Sequence, residues 1–270
     1  MDKLSLRALA VCFVAGGLLV LAFAPFNFYI LAFISLAILF YLWAKGAPKT
    51  NFYLGLSFGL GLYCFGVSWV YVSLSTYGGM PLWMGSIAVL GFAALLSLFV
   101  AIPGYLVARL FRKNVLFAIP FIWVLFEWAK SWVLTGFPWL DVGYTQTPSW
   151  LFAWAPVGGV YLVSFTVVAI SAVLAMIARY LMLSPLSNKQ KRIKVIALVT
   201  FIGVSVFSSF VLSSVEWSQP VGRQIQVGIV QPNTPIEEKW KASYQTDLIC
   251  LLYTSPSPRD LSTSRMPSSA

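Results

Sequence analysis

The sequence predicts a polytopic α-helical membrane protein of about seven transmembrane helices, followed by the start of a water-facing domain. Three observations carry this. The 270 residues are 59% apolar and 10% charged, with mean hydropathy +0.83, whereas a soluble domain has about 25% charged residues to cover its surface. Seven apolar runs approach the roughly 20 residues of helix that cross a hydrocarbon layer about 30 Å thick. The cations between those runs fall only on alternate connections.

The runs lie at about 8–24, 28–44, 52–74, 83–108, 114–130, 151–178 and 195–214. Lys3 and Arg7 precede the first, and Ala22-Phe23-Ala24 at its end resembles a signal-peptide cleavage site. Pro25 directly after that site blocks cleavage, so the first helix is expected to be retained. No charged residue occurs from Thr50 to Ala108, and the turn-forming stretch Ser75 to Pro81 divides that region into the third and fourth spans. Gly55 and Gly59 give the third span a small-xxx-small face, read as packing inside the bundle rather than dimerisation. The fifth run ends with Glu127 and Lys130, three residues apart on one helical face. An intramembrane carboxylate is costly unless paired or hydrated, so a structural ion pair between the two is the simpler account and an interior contact near substrate the alternative.

Basic residues set the orientation. Lys3 and Arg7, Lys45 and Lys49, Arg109, Arg112 and Lys113, then Arg179, Lys189, Lys191, Arg192 and Lys194 all fall on the N-terminal side of the bundle. The opposite connections, 25–27, 75–82 and 131–150, hold none. Cytoplasmic loops concentrate Lys and Arg, so the N-terminus is expected in the cytoplasm and everything after the seventh span on the other side. The net charge of +10 is therefore an orientation signal, and no nucleic-acid partner is expected.

After Ser214 the composition changes. Gln224 to Val230 alternates polar and apolar residues before turning continuously apolar, which reads as a half-buried β-strand. Pro232 to Pro235 ends it, with Thr234 placed to cap a short helix. From Leu251 the chain is rich in Ser, Pro and Arg without periodicity. Composition alone makes this a disordered tail, but it also looks like translated adapter sequence joined to a broken reading frame, and the artefactual reading is adopted. The expected organisation is 1–215 membrane bundle, 216–250 start of a soluble domain, and 251–270 foreign tail.

The sequence contains no histidine, which excludes Ser-His-Asp and Cys-His catalysis and His-ligated metals or haem. Cys12, Cys64 and Cys250 are too far apart for a CxxC motif or a disulfide framework. No cofactor and no metal is expected. Two segments on the non-cytoplasmic side stand out. Ser68-Trp69-Val70-Tyr71-Val72-Ser73, with Thr76 to Pro81, is accounted for by an aromatic belt and a glycine turn. Trp132 to Gln146, WVLTGFPWLDVGYTQ, breaks helical geometry at Gly136 and Pro138 and offers Thr135, Asp141, Tyr144 and Gln146 beside its aromatics. It is either an interfacial loop resting on lipid or one wall of a lipid-accessible cavity. Ser68, Ser73 and Thr135 have no activating base, so any chemistry is expected outside the spans.

These two segments, together with VGIVQPNTPIEEKW (Val227 to Trp240), resemble apolipoprotein N-acyltransferase, the bacterial inner-membrane family that completes lipoprotein maturation. The resemblance covers roughly residues 8–250. It implies a membrane bundle followed by a periplasmic αββα nitrilase-like (carbon-nitrogen hydrolase) domain, of which this chain holds the first strand. It also implies an N-acyltransferase whose partners are a phospholipid acyl donor and a diacylglyceryl apolipoprotein acceptor, working through a cysteine thioester. The family's Glu, Lys and Cys lie in the nitrilase domain, and no catalytic residue carries over: Glu237, Glu238 and Cys250 do not stand in the matching contexts. Trp139 in GFPWL and Trp240 in EEKW do match family tryptophans near the active site and lipid entrance. The chain as written is thus expected to insert into membrane and to transfer no acyl group. The rival from another class is a non-enzymatic polytopic protein, a lipid transporter or scaffold; a second alternative fuses the enzyme to a polyprenol-sugar synthase.

Overall fold

In this computed structural model, residues 5–112, 114–183 and 188–219 are described, with a few isolated positions up to residue 253. The chain separates into two units at Trp217 and Ser218. Within the first, the described residues form helices and turns and no strand. In chain order the helices are α1 (Leu6–Val20), α2 (Ile30–Trp43), α3 (Pro48–Gly66), α4 (Trp69–Val72), α5 (Leu82–Leu110), α6 (Val115–Lys130), α7 (Ala155–Leu183) and α8 (Asn188–Ser213). The strand expected at Gln224 to Val230, Trp240, and the tail from residue 254 lie outside the described residues.

By length and composition three helical stretches can cross a membrane: Leu82–Leu110, Trp150–Met182 and Lys189–Ser213. A fourth results if α3 and the Trp69–Tyr77 stretch count as one bent span. α1 and α2 are apolar but shorter, and α6 has 16 residues. The chain is a helical membrane protein, built from short and long apolar helices together.

Where the sequence predicts one continuous span over 52–74, the structure has a break. α3 ends at Gly66, and the chain turns by 49° before α4. A five-residue π-turn, Ser73–Tyr77, follows. At the break the Ser68 hydroxyl donates to the Phe65 carbonyl at 2.8 Å, and beyond it Ser75 donates to the Tyr71 carbonyl at 2.8 Å. Such side-chain bonds compete with the regular ladder and bend helices.

In lipid, helices associate through close packing rather than through exclusion of water. α3 packs most extensively on α5 and α1. A Cβ added at Gly55 would lie 2.8 Å from the Val100 carbonyl oxygen, and one at Gly59 would lie 2.7 Å from the Ser97 Cα. The small-xxx-small face thus serves internal packing against α5. The centre of the bundle is filled by Phe40, Trp43, Phe58, Leu36, Leu39 and Leu62, all essentially inaccessible.

Candidate functional site

The last turn of α6 and the irregular segment that follows it build the one buried ion pair among the described residues. Glu127 and Lys130 share the inward face of α6 and are 6% and 3% exposed. The chain then leaves helical geometry through Leu134 (φ 53°), Thr135 (φ 74°) and Gly136 (φ 83°). It returns past Leu140 (φ 60°) into two 3₁₀ turns, Val142–Gln146 and Trp150–Trp154, that lead to α7. Left-handed backbone at a non-glycine residue costs of order 1–3 kcal/mol and persists only where its surroundings fix it.

Around Leu140 those surroundings are the ion cluster. The Lys130 ammonium lies 2.8 Å from Asp141 Oδ1, donates to the Trp139 carbonyl at 2.8 Å and reaches the Tyr63 hydroxyl at 3.2 Å. Glu127 Oε1 accepts from the backbone N–H of Val142 at 2.8 Å and from Trp123 Nε1 at 2.9 Å. Gly143 N–H donates to the Ser164 hydroxyl of α7 at 2.8 Å. Burial pushes the Asp141 carboxyl up from its ordinary value, and the Lys130 ammonium beside it opposes that rise. The ion pair expected between Glu127 and Lys130 is therefore corrected. Lys130 pairs with Asp141, eleven positions along the chain, while Glu127 braces the backbone of the segment on which Asp141 sits.

The cluster sits behind an aromatic wall. Trp139 is half exposed, at 52%, and its ring centroid lies 5.7 Å from that of Trp69 and 6.1 Å from that of Phe137. Phe137 in turn meets Phe92 of α5 edge-on at 4.9 Å. The structure thus brings together Trp69 and Trp139, one from each membrane segment singled out in the sequence. Trp240 lies outside the described residues. Sequence reasoning missed the role of Asp141 and Tyr63. The signal was available, since Glu127 and Asp141 are the only carboxylates between Asp2 and Glu216, with Lys130 between them. A cleft of about 590 Å³ between α2, α7 and α8, lined by Tyr29, Phe33, Gln146, Trp150, Leu174 and Ile202 among others, has no charged side chain in its wall. Chemistry that needs a charge has no foothold there.

The apolar helices, the broken segment at their end and its buried charges define a helical membrane protein with an exposed aromatic cluster beside a buried ion pair. Residues 15–173 match the family described as apolipoprotein N-acyltransferase N-terminal domain, and the chain belongs to that family. Relatives named apolipoprotein N-acyltransferase include the Methylococcus capsulatus protein, 33% identical over 90% of this chain and 47% of its own length. Those of Coxiella burnetii and Chromobacterium violaceum are 36% and 37% identical, each over 84% of this chain and 46% and 42% of their own lengths. The chain spans about half the length of the curated relatives it matches.

Proposed function

We propose that this chain is the membrane part of an N-acyltransferase of lipoprotein maturation. The enzyme takes an acyl chain from a phospholipid and delivers it to the α-amino group of the lipidated N-terminal cysteine of an apolipoprotein. A cysteine thiolate of the nitrilase-like domain attacks the phospholipid ester, the lysophospholipid leaves, and the amine of the acceptor then displaces the thiolate from the thioester. The described residues supply the route by which the lipid arrives. The observation that carries this is the pairing of Trp69 with Trp139 at 5.7 Å on a half-exposed, irregular segment anchored to buried charges. An ordinary interfacial belt needs no such anchor.

The proposal includes seven spans, α1, α2, α3 with α4, α5, α6, α7 and α8, in the bacterial inner membrane. The N-terminus is cytoplasmic and the domain after α8 periplasmic, with bundle, soluble domain and tail divided at about residues 215 and 250. Twelve cations on one side of the bundle against none in the opposite connections support this orientation. Reporter fusions test it. An alkaline phosphatase, active only outside the cytoplasm, is expected to work when fused after Gln219 and to fail after Arg112; equal activity at both sites refutes the topology.

The activity is tested in the full-length protein, with a phospholipid labelled in its acyl chain and an apolipoprotein acceptor. The expected result is a hydroxylamine-sensitive label on the enzyme, followed by a hydroxylamine-resistant label on the acceptor. Movement of labelled phospholipid between bilayers without any covalent label would establish a transporter instead.

A further inference from the structure

Lys130 touches both elements that carry the aromatic wall. Its ammonium binds the carbonyl of Trp139 itself, and it reaches Tyr63 of α3, the helix that leads through its bend into Trp69. Asp141, two residues beyond Trp139, supplies the counter-charge, and Glu127 holds the N–H of Val142. The stretch from Trp139 to Val142 is thus fixed at three points by two side chains one helical turn apart. The left-handed residue Leu140 lies inside that stretch, and its side chain sits against Gly66 at the α3 bend. The contacts fall on the Trp139 carbonyl, the Asp141 carboxylate and the Val142 N–H, the run that leads from the half-exposed Trp139 into buried residues.

We propose that Lys130, with Asp141 and Glu127, is a positioning device that sets the orientation of Trp139 against Trp69. Lys130 is a positioning residue and not a catalytic one: it lies behind the wall, almost fully buried. This rests on the reading of Trp139 as part of the lipid route, and the test separates the two.

The test uses this chain in detergent, with its eleven tryptophans replaced by 5-fluorotryptophan and the resonances of Trp139 and the core residue Trp43 assigned by Trp→Phe variants. Lys130→Met combined with Asp141→Leu removes the charges as a pair, which buried apolar replacements of similar volume tolerate. The expected result is a displaced or broadened Trp139 signal with Trp43 unmoved, and a return toward the native position in Lys130→Arg, which keeps a cationic donor. An unmoved Trp139 signal overturns the proposal, and so does a displacement that Lys130→Arg leaves as large as the pair variant does. Should Trp43 also move, the pair variant has not folded, and Asp141→Asn is read by the same two outcomes. In the full-length protein the pair variant is expected to raise the KM for phospholipid and leave kcat unchanged. If Trp139→Ala leaves turnover intact while the fluorine result holds, the lipid route fails and the positioning stands.

Discussion

Lys130→Met alone is expected to destabilise the bundle by about 3–5 kcal/mol, the cost of leaving a buried charge without its partner. The lost hydrogen bonds do not account for this, since interhelical bonds in membrane proteins average only about 0.6 kcal/mol each. What decides it is Asp141, 1% exposed, whose only cation within ion-pairing distance among the described residues is Lys130. Without that cation the folded state keeps Asp141 comfortable only by protonating it. The folded carboxyl then titrates above its unfolded value, so the folded form binds a proton that the unfolded form has released. Stability is accordingly greatest below the ordinary carboxylate range, near pH 4, and is lost as pH rises through the folded-state value. The defect is therefore expected to be smaller at about pH 5 than at about pH 8. Unfolding in mixed micelles, followed by circular dichroism at both pH values, measures it. Lys130→Met with Asp141→Leu is expected to lie close to the native protein. A single variant as stable as the native one at both pH values would mean that water reaches the cluster.

The legible and illegible parts of this molecule divide by range. Apolar runs and their bordering cations report on one element at a time, so the helices over 8–24, 28–44, 83–108 and 114–130 are visible from local composition, with ends displaced by a few residues. The bend after Gly66 is not visible. The Ser68 hydroxyl bonds the Phe65 carbonyl at the bend, but serine bonds to the preceding turn do not mark a break in the sequence, since Ser97 and Ser171 bond the carbonyl four residues back inside α5 and α7. The same limit hid the ion cluster. Glu127 and Lys130 share a helix face, so spacing pairs them with each other. Only the return of the chain through Leu134, Thr135 and Leu140 brings Asp141 to the ammonium, and contacts between residues far apart in sequence are not written in local spacing. The motif around Trp139 singles that residue out in the sequence, and Trp69, seventy residues earlier, stands out as well, but nothing in the sequence says that the two rings meet.

Trp139→Ala in the full-length protein is expected to lower kcat/KM for the phospholipid roughly 5- to 150-fold. The figure follows from about 1–3 kcal/mol for the contact of one large apolar side chain, converted at about 1.4 kcal/mol per factor of ten. The fold bears little of the cost. Half of the indole is already exposed, so truncation falls well short of the roughly 3–5 kcal/mol of a buried Trp→Ala change, and membrane insertion and thermal midpoint stay near native. Trp139→Phe keeps a ring against Trp69 and Phe137 and is expected to lose less than Trp139→Ala. The kinetic partition discriminates between roles. A ring that guides the acyl chain contacts ground state and transition state alike, so its loss raises KM with kcat held. A fall in kcat at constant KM would instead place Trp139 against the reacting carbonyl. Turnover unchanged in both respects would return Trp132 to Gln146 to the role of an aromatic belt at the lipid surface, because a belt residue anchors the helix ends without touching the substrate.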